Sequence, residues 1–302
     1  MKKLHYAIFA LTLLVSCENP KDNDRLSVRR GKITVAVDES FKPIADAQIQ
    51  AYQAHYPEAE FDVIYTPEQK AIGQMLKDSA DLVIVSRELT ENEQAYYTNR
   101  EREYQPAIMA LDAVVLIANK SSTIEELTVS NIESILKGEK SDIKFVFDNS
   151  SSSNLNLMLE TFNIDTVNKA NIYASKGTED VFNFVENSKN AIGLIGLNWI
   201  SDKHDKEGMA LKKRIKIIGI DKEDGTDLTY ATISTIKSME YPFVKVIYLH
   251  TTQNGWGVAM GFIRFACTQI GQLVVEKMGL QPYYIIPKYY ELSTTDPVNV
   301  VE

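Results

Sequence analysis

The chain has 302 residues, 44% of them hydrophobic, and sets 32 basic against 41 acidic side chains for a net charge of −9. That is enough apolar material for one large domain or two lobes of ordinary size, with no low-complexity bias. The negative balance argues against nucleic acid and anionic lipid as partners, so an anionic ligand would need local donors working against the overall field.

The chain opens on Lys2-Lys3, an apolar run from Tyr6 to Val15, then Leu14-Val15-Ser16-Cys17. A basic start, a short greasy stretch and a small-residue cut site make a secretory signal. The leucine, small, small, cysteine order resembles a bacterial lipoprotein signal. The apolar run is far shorter than the ~20 residues needed to span a bilayer. The expectation is therefore that residues 1–16 are removed and that acyl chains on Cys17 anchor the domain, each buried methylene adding roughly 0.8 kcal/mol. Residues 17–30 are polar and without period, and read as a tether. With Cys17 lipidated, Cys267 is left alone and no internal disulfide is expected. It lies among Phe262, Ile263, Phe265 and Ile270 at helical spacing, the setting of a buried apolar thiol.

From Gly31 onward, short β-branched runs alternate with helical periods. Thr34 to Val37 reads as a strand and Pro43 to His55 as a helix with Ile44, Ile49 and Tyr52 on one face. Phe61 to Tyr65 is a strand, Pro67 to Lys77 a helix, and Asp81 to Ser86 a strand. The apolar run Ala113 to Ile117 suits a strand buried on both faces. Thr128 caps a helix that Gly138 stops. Lys144 to Phe147, a helix from about Asn154, Asn171 to Ala174, a helix from Glu179 and Ala191 to Gly196 continue the beat. Ile215 to Ile220 and Lys245 to Thr251 add strands, and the longest helix is predicted from about Trp256 to Met278 with Gly279 ending it. Such alternation means a mostly parallel sheet flanked by helices, and ten or so strands favour two α/β lobes over one. Ligands of such proteins sit between the lobes, at the carboxyl ends of strands.

Four strand ends carry the candidate chemistry: Asp38-Glu39-Ser40-Phe41, Thr66-Pro67-Glu68-Gln69, Ser86-Arg87, and Asp148-Asn149 followed by Ser150 to Ser153. Three of them open helices, whose free N–H groups and partial positive charge suit an anion, with hydroxyls as added donors. Taken singly, each is an ordinary cap, a solvated loop or a surface ion pair. Enzyme signatures are missing: no G-x-S-x-G, H-E-x-x-H, C-x-x-C or P-loop. Only His55, His204 and His250 follow the signal, too scattered to suggest a metal cluster.

Several of these segments resemble the phosphate-binding lipoproteins of the periplasmic substrate-binding family, the receptors of phosphate ABC transporters. The cues are Ser40-Phe41 with Pro43, the run Ala80 to Leu89, Leu111 to Val115 on to Asn119, Leu127-Thr128, and Ile135 to Glu139. Later come Tyr241-Pro242-Phe243, Tyr248-Leu249, Gly261-Phe262-Ile263, Gly271-Gln272, Met278-Gly279-Leu280 and Pro282. The resemblance implies a two-lobed α/β fold with a ligand cleft. Lobe one would hold residues 31–115 and 228–302 and lobe two residues 116–227, the cleft closing like a hinge on its ligand. It also implies a monomeric, non-enzymatic receptor without cofactor that faces the periplasm or cell exterior and hands inorganic phosphate, or a similar oxyanion, to an ABC permease. By the same similarity Ser40, Phe41, Thr66, Ser86, Arg87, Ser151, Ser152 and Ser153 fall where the family holds its anion. Two positions depart from the family pattern. Ser86 stands where the best-known members have an aspartate that reads the phosphate proton, and Phe147 stands where they have an arginine. Arg87 is the candidate replacement cation, and Asp38, Glu39 or Asp148 the candidate proton acceptor. A receptor for another tetrahedral oxyanion, a sensory or structural lipoprotein, and a phosphoester hydrolase of the same fold stay open as alternatives.

Overall fold

The computed structural model describes residues 27–165, 170–222, 228–285 and 287; the signal, Cys17 and most of the tether lie outside them. In chain order the elements are β1 (Arg30–Asp38), α1 (Lys42–His55), β2 (Glu58–Thr66), α2 (Glu68–Leu76), β3 (Leu82–Val85), α3 (Glu91–Thr98) and β4 (Ala107–Asn119). Then come β5 (Glu126–Thr128), α4 (Val129–Leu136), β6 (Lys144–Phe147), α5 (Ser153–Thr161), β7 (Ile172–Ala174), α6 (Thr178–Glu186) and β8 (Ala191–Gly196). Last are α7 (Lys206–Lys212), β9 (Ile215–Ile217), β10 (Gly219–Asp221), α8 (Ile233–Lys237), β11 (Val244–Thr251), α9 (Val258–Ala266), α10 (Gln269–Lys277) and β12 (Gln281–Pro282).

One sheet runs β2-β1-β3-β11-β4-β8-β6-β7, with β9 and β12 also pairing β4. Its outer parts are parallel: β1 with β2 and β3 on one side, β6 with β7 and β8 on the other. The strands between them are antiparallel, and β4 joins the two halves. Residues Ala107 to Ala113 of β4 pair β11, and Val114 to Ala118 pair β8. Val114 to Ala118 are all buried, as an apolar run covered on both faces requires. Helix α1 buries Ile44, Ile49 and Tyr52, the face its periodicity predicts. Thr128 caps α4 by accepting the Asn131 N–H, as predicted.

Two expectations about elements need correction. The predicted long helix from Trp256 to Met278 is two helices, α9 and α10, bent 61° at Cys267-Thr268. Gly271 makes the break possible, since a Cβ there would lie 2.4 Å from the Ala266 Cα and the Phe265 carbonyl. Gln272 holds it by donating to the Ala266 and Met109 carbonyls at 2.7 and 2.9 Å. The break resets the register, so Ile270 and Leu273 are exposed although a straight helix would bury them. The predicted strand Ile215 to Ile220 is likewise two, because the chain leaves β4 at Ile217 and pairs with β5 from Gly219. Periodicity does not announce α3, α7 or α8, which are short and begin at the side-chain caps Thr90, Asp205 and Thr232.

Candidate functional site

The register of the parallel strands decides what meets at their carboxyl ends. Asp38 is the Cα partner of Thr66, and Val37 that of Ile84, so Asp38 and Thr66 sit at one level in the first half, with Ser86 one residue beyond it. In the second half Phe147 pairs Ala174, which puts Asp148 and the serine turn just beyond the sheet. Between the two halves, Lys245 of β11 lies opposite Asp112 of β4.

Lys245 is the centre of the site, 1% exposed. Its Nζ donates to Ser40 Oγ at 2.8 Å, to Ser153 Oγ at 2.8 Å and to Asn154 Oδ1 at 2.7 Å. It also lies 4.3 Å from the centre of the Phe41 ring, within cation–π range. Ser40 and Ser153, from opposite halves, share a 3.1 Å contact. The Ser40 carbonyl accepts from Asn198 Nδ2 at 2.9 Å and Trp199 Nε1 at 3.0 Å. That approach needs Gly196, where a Cβ would lie 2.6 Å from Asn198 Nδ2 and 3.1 Å from the Ser40 carbonyl.

Four carboxyls surround this ammonium, and all are buried: Asp38, Glu68, Asp112 and Asp148. Asp38 caps the one-turn 3-10 helix Glu39–Phe41, accepting the Ser40 N–H at 3.3 Å and the Ser40 hydroxyl at 2.9 Å. Glu68 Oε2 accepts the Ser86 N–H at 2.6 Å and its hydroxyl at 2.5 Å. Asp112 accepts from Asn198 N at 3.2 Å and Asn198 Nδ2 at 2.7 Å. Burial, opposed by the Lys245 charge, pushes the Asp112 carboxyl up to about 6. Burial and then the Asp38 charge push Asp148 up to about 6, against the Ser152 hydroxyl and Lys245. Glu68 is raised by burial and Asp38. At the edge, Glu39 is raised to about 7 by burial and by Asp148 and Asp38, with the Thr178 N–H opposing. Among the described residues, no acidic, histidine or cysteine side chains converge as metal ligands. Several buried polar atoms beside Lys245 and at the start of α6 lack a hydrogen-bond partner: Asp148 Oδ2, Asn154 Nδ2, Asn198 Oδ1 and Thr178 Oγ1.

The structure brings some of the predicted site residues together and holds others apart. Ser40, Phe41 and Ser153 meet at Lys245. Ser152 is buried beside them as the cap of α5, accepting the Asn154 and Leu155 N–H groups. Thr66 is buried next to Asp38 in the sheet. Ser86 is turned to Glu68. Ser151 is exposed, and its N–H closes a local turn to Asn149. Arg87 is 25% exposed and held by Glu93 through two bonds of 2.8 and 3.0 Å, by Gln69 at 2.9 Å and, more loosely, by Glu68 at 3.6 Å. Sequence reasoning missed Lys245, Asn154, Asp112 and Asn198. A signal for Lys245 exists, because it is in phase with Ile247 and Leu249, the inward positions of β11.

A family model described as a PBP superfamily domain matches residues 26–269. The chain belongs to that superfamily. Across 92% of its length it is similar to the phosphate-binding protein PstS of Borreliella burgdorferi, 25% identical over 302 residues and covering 98% of that protein. Among solved structures it resembles a Clostridium perfringens protein with bound phosphate, at a TM-score of 0.68 and 17% identity, with 84% of this chain and 100% of that one covered. It also resembles an ABC-type phosphate transport receptor from Vibrio cholerae, at a TM-score of 0.60 and 19% identity, over 82% of this chain and 99% of that one. At these identities the structural likeness establishes the fold: a mixed α/β sheet curled between flanking helices.

Proposed function

We propose that this superfamily member is an extracytoplasmic solute-binding protein, anchored by lipid on Cys17, that captures inorganic phosphate or a related tetrahedral oxyanion for an ABC importer. The observation that carries this reading is the Lys245 ammonium. It is fully buried where the two halves of the sheet meet, and its three hydrogen bonds go to two hydroxyls and an amide oxygen. Uncharged partners yield to an anion, because a charge-assisted bond is roughly twice as strong as a neutral one. When an oxyanion enters, the Ser153 hydroxyl turns to donate to it, the Ser40 hydroxyl swings its proton from Asp38 to the anion, and Asn154 Nδ2 and the first turn of α5 add donors. In this reading Lys245 supplies the charge, with Ser86, Arg87 and Thr66 at the flank of the same cleft. Lobe one comprises residues 31–115 and 228–302, lobe two residues 116–227, joined by two crossings, the first of them in β4. The printed names of the relatives support phosphate over other oxyanions.

Calorimetry of the purified protein against phosphate, sulfate, arsenate and molybdate tests the ligand. Phosphate should bind; heat with none of the four would sink the receptor reading in favour of a sensory or structural lipoprotein of the same fold. Cys17→Ser should release the protein from washed membranes, and its retention in the pellet would rule out the lipid anchor.

A further inference from the structure

The carboxyls around Lys245 outnumber it four to one, and every member of the cluster is buried. Adding a dianion to such a cluster with all four ionised would set it against like charges in a low-dielectric interior, so protons must enter or already be present. The hydrogen bonds indicate where. Asp38, Glu68 and Asp112 each accept two donors. Asp148 differs: Oδ1 accepts the adjacent Asn149 N–H at 3.2 Å and the Ser152 hydroxyl acts on the carboxyl, but Oδ2 has no partner within hydrogen-bonding distance although the residue is fully buried. A bare, buried, ionised oxygen is costly. Protonated, the same oxygen becomes a donor that lacks only an acceptor, and an oxyanion supplies one.

Resting on the reading above, we infer that anion capture is proton-coupled and that Asp148 carries the proton, entering the complex as the acid and donating from Oδ2 to the bound oxyanion. The groups that set its titration face it from five elements: Asp38 after β1, Glu39 in the one-turn helix that follows, Glu68 on α2, Asp112 on β4 and Lys245 on β11. Burial first and then the Asp38 charge hold the free carboxyl up to about 6, against the Ser152 hydroxyl and Lys245. A bound anion raises it further, so between that value and the bound value each anion brings in a proton and affinity falls as pH rises. Sulfate has no proton to give at neutral pH, yet it receives the same hydrogen bond from protonated Asp148, so both anions gain affinity as pH falls towards 6.

The test is calorimetry of the full-length protein with phosphate and with sulfate at pH 7.5, in two buffers of different ionisation heat. Wild type should take up roughly one more proton per bound anion than Asp148→Asn, whose amide keeps a donor at that position. Its affinity should fall up to about tenfold per pH unit above 7, beyond any slope the variant retains. Equal proton counts in the two proteins, with phosphate bound by both, overturn the inference while leaving phosphate binding standing. No binding of either anion to wild type overturns both together. If Asp148→Asn does not fold, difference infrared spectra of wild type decide. A protonated carboxyl band should grow as phosphate saturates the protein at pH 7.5, and no such band overturns the inference.

Discussion

Lys245 and Arg87 are two cations near the candidate site, and they differ in what they hold. Arg87 is partly exposed and faces Glu93 through two bonds, an arrangement that lowers the Glu93 carboxyl to about 2. Its charge is matched before any ligand arrives. Lys245 is deeper and, among the described residues, has no carboxylate within hydrogen-bonding distance; its bonds end on Ser40, Ser153 and Asn154, with the acids behind them. A cation paired to a carboxylate must give up that pair to bind an anion, whereas one held by hydroxyls exchanges weak partners for a strong one. Depth and partner type, more than the presence of a positive charge near a strand end, separate a ligand cation from a structural one.

The largest expected effect breaks the comparison directly. Lys245→Met should weaken phosphate binding by at least about 30-fold, from the 2–5 kcal/mol that accompanies loss of one member of a buried charged pair. Arg87→Met should weaken it less than about tenfold while lowering stability through the unpaired Glu93. Equal losses in titration calorimetry would place both cations on the ligand. Next in size, Ser40→Ala and Ser153→Ala should each cost about 1–2 kcal/mol of binding, and Ser151→Ala, exposed and locally bonded, less than ~0.5 kcal/mol. A Ser151 effect as large as the Ser153 effect would move the anion out to the tip of the serine turn.

The smallest effect sharpens the charge side of the comparison. Asp112 and Asp148 titrate near 6 and Glu39 near 7 in the folded chain, above the roughly 4 of an unfolded carboxyl. The folded state therefore binds more protons than the unfolded one between about pH 4 and 7, and these groups stabilise it as pH falls through that window. His250 works the other way. Burial lowers it to about 4, so the unfolded chain gains a proton first below about 6.5 and stability is lost. With Glu68 also raised, four acids against one base predict a melting midpoint a few degrees higher at pH 5.5 than at pH 7.5. The double variant Asp112→Asn, Asp148→Asn should flatten that rise; a wild-type midpoint that falls from pH 7.5 to 5.5 would mean the carboxyls are ionised and satisfied.

The parts of the fold legible in the sequence are those set by local pattern. The alternation of strand and helix, the buried face of α1, the cap at Thr128 and the strands Lys144 to Phe147 and Ala191 to Gly196 all follow from period and punctuation. So do Ser40, Ser152 and Ser153, because strand ends that open helices are visible in one dimension. What pattern does not carry is contact across distance. The break between α9 and α10 depends on Gly271 packing against Ala266 and on Gln272 reaching Met109, neither of which alters the apolar spacing. The pairing of Lys245 with Asp112 depends on β4 and β11 running antiparallel between the halves, so two residues 133 positions apart become neighbours. Arg87 is prominent in the sequence because it follows a strand, but Glu93, which engages it, lies on a helix whose start is only a cap.

The most direct test of Lys245 as the ligand cation is nitrogen-15 NMR of its side-chain ammonium, assigned by the resonance missing in Lys245→Met. A buried, triply bonded ammonium exchanges slowly enough with water to be observed. Saturating phosphate should shift that resonance and its protons markedly, with little change at the Arg87 guanidinium. An ammonium signal unmoved by saturating phosphate, with Arg87 shifting instead, would contradict the assignment.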